Sequence, residues 1–158
     1  MEAVQTLSEY EVERGKPMPS LNHSAVQTSL IVAFSRHLEK YSILSELSLE
    51  LDGTPDVPDI SVYPRISVDW QHDHVKQTDP PLTVVEILSP TQSLDALIRK
   101  AEAYFEAGVR SCWIVQPVVE SIVVLEPRKK LKVHASGEVV DPPTGITVKI
   151  EEIFHSMG

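Results

Sequence analysis

The stretch Pro81-Leu-Thr-Val-Val-Glu-Ile-Leu-Ser-Pro90 gives the clearest strand signal in the chain, and it carries one carboxylate near its middle. An unpaired charge buried in such a strand costs several kcal/mol, or the group shifts its pKa and becomes neutral. Glu86 must therefore be exposed, paired with a cation or bound to a metal. Because side chains alternate along a strand, Glu86 shares one face with Val84 and Leu88.

The segments on either side of this strand predict further helices and strands. Strands are predicted at Tyr10 to Val12, Ile43 to Leu51, Asp59 to Tyr63, Leu82 to Leu88, Ser111 to Gln116, Ser121 to Leu125 and Leu131 to Ala135. Helices are predicted from about His23 to Tyr41 with Asn22 as a candidate cap, from Thr91 or Ser93 to Gly108, and from Ile150 to Phe154. Turns are predicted at Gly15-Lys16-Pro17 and Asp52-Gly53, and a polar loop from Pro64 to Pro81. This order indicates an α/β fold with a central mixed β-sheet flanked by helices.

Length and composition favour a soluble globular protein. The 158 residues predict a single domain over residues 1–158, with 42% hydrophobic and 23% charged residues. Cys112 is the only cysteine, which excludes an intrachain disulfide and favours a reducing, cytoplasmic setting. No apolar run approaches the roughly 20 residues of a membrane span, so no membrane partner is expected. The net charge of −9 argues against nonspecific DNA binding, which depends on a basic face.

Two carboxylates are candidates for a metal site. Asp59 and Glu86 lie in consecutive strands separated by a loop, so a hairpin-like pairing would bring them side by side. Such a pair offers only oxygen ligands, which suit a hard cation such as Mg²⁺ or Mn²⁺. The backbone carbonyl of Ile87 is a natural third ligand. A metal held there would lower the pKa of a bound water and stabilise charge on a phosphate under attack.

A distinctive combination of residues follows the second carboxylate. It consists of Glu86 with Ser89-Pro90, Lys100, Tyr104, Gly108-Val109, Trp113, Val115 and Pro117. With Asp59, this combination resembles the PD-(D/E)XK nuclease superfamily, and more closely its restriction-endonuclease-like branch, the Uma family of bacterial proteins. The resemblance runs from about Tyr10 to Phe154 and implies a restriction-endonuclease-like fold. Leu88 stands where the superfamily usually has its lysine, and Lys100 matches the lysine that this branch supplies from the following helix.

Three positions depart from the family pattern or have an open role. Gln116 replaces an acidic residue that is usual in the last strand motif. Asp95 lies one place earlier than the Asp usual near the start of the helix. His23 begins the first helix where the family often has a histidine, and its role near the site stays open.

Two further groups allow a functional and a structural interpretation. The sequence from His72 to His74 contains two histidines and an aspartate, which suggests a metal but is more typical of a polar loop. A basic cluster suggests a phosphate contact but is more typical of an exposed hairpin tip. Its members are Arg128, Lys129, Lys130 and Lys132.

The resemblance implies a metal-dependent endonuclease that hydrolyses phosphodiester bonds, with DNA as substrate and Mg²⁺ or Mn²⁺ as cofactor. Asp59 and Glu86 would hold the metal, and Lys100 would orient the attacking water or stabilise the transition state. A homodimer is expected, because cutting two strands needs two sites and two-fold dimers are the commonest assembly. The alternative is a catalytically inactive dimeric binding or regulatory protein that retains the nuclease fold. The net charge of −9 and Gln116 favour the alternative.

Overall fold

A computed structural model describes residues 8–155, apart from the side chains of Glu13 and Arg14. The helices are α1 (Glu9–Arg14), α2 (Leu21–Phe34), α3 (Leu94–Glu106) and α4 (Ile150–Phe154). The strands are β1 (Tyr41–Ser45), β2 (Leu49–Leu51), β3 (Thr54–Asp56), β4 (Ile60–Pro64), β5 (Thr83–Ile87), β6 (Ser111–Gln116), β7 (Ser121–Leu125), β8 (Lys132–His134), β9 (Glu138–Val140) and β10 (Thr147–Lys149). Among these residues, no helix is long and apolar enough to cross a bilayer.

The central sheet is mixed, as predicted. Its six strands lie in the order β1-β4-β5-β6-β7-β8, and the pairs β2-β3 and β9-β10 form two small separate sheets. Strands β5 and β6 are parallel, whereas every other neighbouring pair of the central sheet is antiparallel. Parallel neighbours need a crossover connection, and α3 supplies it. Helix α3 therefore packs over the strand that carries Glu86.

Strand β5 is buried on both faces, and its two faces contact different helices. Val85 and Ile87 pack in the cluster that contains residues of α2. Val84 and Leu88 pack in the cluster that contains residues of α3. Alternation along the strand then places Glu86 on the α3 side. The face predicted for Glu86 is confirmed.

Several predicted boundaries differ from the structure. Helix α2 is capped by the Ser20 side chain rather than by Asn22, and it ends at Phe34 instead of Tyr41. The strand predicted from Ile43 to Leu51 is two strands, because Glu46 adopts a left-handed φ of 49° and turns the chain between them.

The strand predicted at Tyr10 to Val12 is wrong, because these residues lie in α1. A capping box joins Ser8 and Glu11 at the start of this helix, and Gly15 ends it with a φ of 71°. Three alternating residues carry too weak a strand signal to outweigh helix caps at both ends.

Most of the remaining predicted elements agree with the structure. Strand β6 and helix α4 have the predicted bounds, and the β7-β8 hairpin is present. The turn at Asp52-Gly53 joins β2 to β3. Ser93 caps α3, and Gly108 follows that helix with a φ of 104°. Strands β3, β9 and β10, of three residues each, were not predicted.

Candidate active site

Asp59 immediately precedes β4 and is fully buried. The antiparallel pairing of β4 with β5 sets Ile60 opposite Val85, which brings Asp59 beside the end of β5. The backbone N–H of Ile87 donates to Asp59 Oδ2 at 2.7 Å. The predicted hairpin-like pairing therefore brings the first carboxylate to the strand that carries the second.

Glu86 is 1% exposed, so its carboxylate needs partners inside the protein. The Tyr104 hydroxyl donates to Oε1 at 2.9 Å, and Lys100 Nζ lies 3.0 Å from the same oxygen. Lys16 Nζ lies 3.4 Å from Oε2. The charge in the apolar strand is thus paired with two cations rather than exposed.

Lys100 reaches the site from α3, as the sequence predicted. Its ammonium lies 2.9 Å from Asp56 Oδ1 and 3.0 Å from Glu86 Oε1, so it bridges the two carboxylates. Burial alone would lower the pKa of Lys100, but the charges of Glu86 and Asp56 raise it above its usual range. Lys100 is therefore charged throughout the physiological range. Asp56 is a site residue that sequence reasoning missed.

Lys16 was also missed, and it lies between the two predicted metal ligands. Its ammonium is 2.6 Å from Asp59 Oδ1 and 3.4 Å from Glu86 Oε2, and its side chain is only 3% exposed. The sequence shows this residue only as part of a turn beside a proline. One signal could have indicated a second cation. If Asp59 and Glu86 are both buried, Lys100 alone balances only one of their two negative charges.

His23 lies at the start of α2 and is 1% exposed. Its Nε2 atom is 3.2 Å from Asp59 Oδ1, in a contact that lacks full hydrogen-bond geometry. Burial alone would raise the pKa of Asp59, but His23 and the charge of Lys16 outweigh it and lower that pKa to about 2. The carboxylate that would ligate a metal is therefore ionised at neutral pH.

The predicted third ligand, Ile87, contributes to the site through its backbone N–H, which holds Asp59. Its carbonyl as a metal ligand remains a prediction. Across residues 8–155, no group of three or more His, Cys, Asp or Glu side chains has the spacing of a metal site.

Other candidate residues lie in ordinary structural contacts. Asp95 pairs with Arg99 at 2.9 Å on the exposed side of α3. The Gln116 side chain donates to Ser121 Oγ at 3.1 Å. In the polar loop, His72 contacts Asp69 at 2.9 Å, and both side chains are largely exposed. At the basic hairpin, Lys129 pairs with Glu126.

A cleft of about 500 Å³ lies beside the start of α2. Its walls include His23, which contacts Asp59, and Leu88, which follows Glu86 along the chain. Leu21 and Val118 also line the cleft and are 84% and 92% exposed. The cleft therefore meets the charged cluster at His23, whereas Asp56 and Lys100 line a separate pocket of about 360 Å³.

A family model described as "Putative restriction endonuclease" (Uma2) matches residues 6–152. The chain belongs to the Uma2 family. The family predicted from the motifs around Glu86 is therefore confirmed. No curated protein matches this Uma2 chain significantly.

Among solved structures, the Uma2 chain is similar to a "putative nuclease belonging to DUF820" from Anabaena variabilis ATCC 29413. The two chains are 24% identical and superpose with a TM-score of 0.77, over 87% of this chain and 83% of the other. This likeness confirms the predicted fold class, a mixed sheet flanked by helices. The family description supports a nuclease, and the solved structure shows the fold.

Proposed function

We propose that this Uma2 protein is a metal-dependent endonuclease that hydrolyses phosphodiester bonds in DNA. The observation that carries the proposal is that Asp59 and Glu86, both buried, face one cation position with Lys100 beside it. Buried acids held together at a cleft are costly to stability and are typical of functional sites. Membership of the Uma2 family supports the same reaction class.

Mg²⁺ or Mn²⁺ fits the donor set. The Lys16 ammonium lies between Asp59 Oδ1 and Glu86 Oε2, so the protein already accommodates a cation between these two oxygens. Asp59, Glu86 and the carbonyl of Ile87 would hold the ion, and oxygen donors are those that Mg²⁺ prefers. When bound, the ion would lower the pKa of a water and offset charge on the phosphate.

The chain's own residues supply orientation and charge. The Ile87 N–H fixes Asp59, and the Tyr104 hydroxyl fixes Glu86. Lys100, held by Asp56 and Glu86, presents a permanent positive charge that would orient the attacking water or a phosphate oxygen. Donors set in place before the substrate arrives need no reorganisation during the reaction.

The proposed partner is DNA, and the proposed assembly is a homodimer. Because the chain carries a net charge of −9, general attraction to phosphates is weak and recognition would depend on local contacts. A dimer would bring two sites to the two strands of a duplex. Light scattering would test this assembly, and a mass equal to the chain mass of 17.6 kDa would contradict it.

One observation favours a second function, an inactive binding or regulatory protein that retains the nuclease fold. Lys16 and Lys100 already compensate Asp59 and Glu86 within the protein. Such a site is electrostatically complete without a metal. The two functions differ in whether hydrolysis occurs when a divalent ion is supplied.

The test is cleavage of supercoiled and linear DNA, and of RNA, with Mg²⁺, Mn²⁺ or a chelator. We expect metal-dependent cleavage of DNA by the wild type and its loss in Glu86→Gln. The matched control is Glu102→Gln, which removes an exposed carboxylate from the outer side of α3 and should retain activity. Absence of cleavage with either metal, or full activity in Glu86→Gln, would overturn the proposal.

A further inference from the structure

Lys16 connects the beginning of the chain to the two carboxylates. It belongs to the short segment between α1 and α2, whereas Asp59 and Glu86 lie 43 and 70 residues further along the chain. Its ammonium contacts both acids, and the whole residue is 7% exposed. A divalent ion bound by one oxygen of each acid would need the space that this ammonium fills.

The Lys16 ammonium and a divalent ion would serve the same two oxygens. The ammonium brings one positive charge to Asp59 Oδ1 and Glu86 Oε2, whereas a divalent ion would bring two. The two cations are therefore alternatives at one position.

The segment that carries Lys16 buries little of its own surface. Helix α1 has only six residues, and its Tyr10 and Val12 side chains are 46% and 66% exposed. The Glu11 carboxylate accepts bonds from the backbone N–H groups of Ser8 and Met18, and the bond from Met18 joins this segment to the chain that follows it. Release of Lys16 therefore exposes little apolar surface.

We propose that Lys16 competes with the divalent ion for the position between Asp59 and Glu86. Residues 8–17 close the site while the ammonium is inserted, and binding of the ion displaces it. The inference rests on the proposed function, because it takes these two carboxylates as the metal ligands. The apparent affinity for the metal then equals the intrinsic affinity multiplied by the fraction of molecules in which Lys16 has left the site.

The first experiment measures Mn²⁺ binding by titration calorimetry. The proteins are the full-length wild type, Lys16→Met, Lys16→Met with Glu86→Gln, and Lys76→Met. Lys76 is a matched control because it pairs with Glu50 on the surface, at 3.6 Å, and its loss removes the same charge. We expect Lys16→Met to bind Mn²⁺ at least about tenfold more tightly than the wild type. This factor corresponds to release of Lys16 in at most about a tenth of wild-type molecules.

The outcomes separate this inference from the proposed function. Tighter binding in Lys16→Met that is lost on adding Glu86→Gln supports both. Equal binding in the wild type and Lys16→Met, or tighter binding in the Lys76→Met control as well, overturns the competition by Lys16 but retains the metal site. Weaker binding in Lys16→Met also overturns it. No binding to any of the proteins overturns the metal site and the inference together.

The second experiment needs no substitution and holds even if Lys16→Met fails to fold. Hydrogen exchange of the wild-type backbone is followed with and without Mn²⁺. We expect Mn²⁺ to accelerate exchange of the Gly15 and Met18 amides, whose acceptors both belong to Glu11, together with their neighbours, at least severalfold. Exchange that is unchanged or slowed by bound Mn²⁺ would overturn the displacement of Lys16.

Discussion

Lys100 Nζ lies 3.0 Å from Glu86 Oε1, although Lys100 comes from helix α3 and Glu86 from strand β5. The parallel pairing of β5 with β6 requires the crossover that contains this helix. Leu88, on the same face as Glu86, leaves the strand itself without a lysine. The crossover helix between β5 and β6 thus supplies the lysine that β5 itself lacks.

Substitution of Lys100 by Met should abolish most turnover while leaving metal binding in place. The ammonium contacts Glu86 and Asp56 but is not a metal ligand. Loss of a preorganised charged donor typically lowers kcat by about 10²–10³. Cleavage rates and Mn²⁺ calorimetry on the same preparation would check this. A variant that cleaves DNA at the wild-type rate would contradict the role of Lys100.

Tyr104→Phe should lower the free energy of unfolding by about 1.5–3 kcal/mol, because it removes a hydrogen bond to the charged Glu86 carboxylate. The comparison is Tyr63→Phe, which removes a bond at 2.8 Å to the uncharged Asp79 carbonyl. That loss should be smaller, about 1 kcal/mol. Urea denaturation of both variants measures the difference. Equal losses of unfolding free energy in the two variants would contradict a stronger hydrogen bond to the charged Glu86 carboxylate.

Asp59 should contribute to stability in a way that depends on pH. Its pKa falls from 3.8 to about 2 on folding, so the contribution is present above 3.8 and is lost as the pH falls toward 2. At pH 5 the shift corresponds to about 2 kcal/mol, part of which has disappeared by pH 3. Denaturant unfolding of wild type and Asp59→Asn at both pH values tests this. A difference between the proteins that stays constant or grows toward pH 3 would contradict it.

Asp141→Asn should destabilise the fold by about 1–3 kcal/mol without changing Mn²⁺ affinity. The Asp141 carboxylate is buried and accepts bonds from the side chains of Thr83, Ser111 and Trp113 at 2.6, 2.6 and 2.9 Å. An amide can accept at only one of its two positions, so a buried donor loses its partner. Urea denaturation followed by tryptophan fluorescence measures the effect. Stability equal to that of the wild type would contradict this role for Asp141.

Glu86 could be predicted from the sequence because a carboxylate conflicts with the apolar residues on either side of it. That conflict restricts the possible environments and does not depend on knowing the rest of the fold. Lys100 followed from the family motif. The strand β6 and the helix α4 were also predicted correctly, since each combines a continuous local pattern with clear flanking residues.

Lys16 and Asp56 could not be predicted in the same way. Each belongs to a segment with a weak local pattern, a turn in one case and the three-residue strand β3 in the other. Their roles depend on contacts with residues distant in the chain, and no periodicity records such contacts. The sequence also contains Pro-Asp at two places, and only Asp59 was assigned to the site.

The two lysines that contact Glu86 differ in their separation from it along the sequence. Tyr104 and Lys100 lie within the β5-α3-β6 unit, and Tyr104 is only 18 residues from Glu86. Lys16 is 70 residues away. Closing a long loop costs more entropy and delays the contacts that depend on it. During folding we therefore expect the β5-α3-β6 half of the site to gain protection first and residues 8–17 to dock last, an order that pulse-labelled hydrogen exchange would reveal.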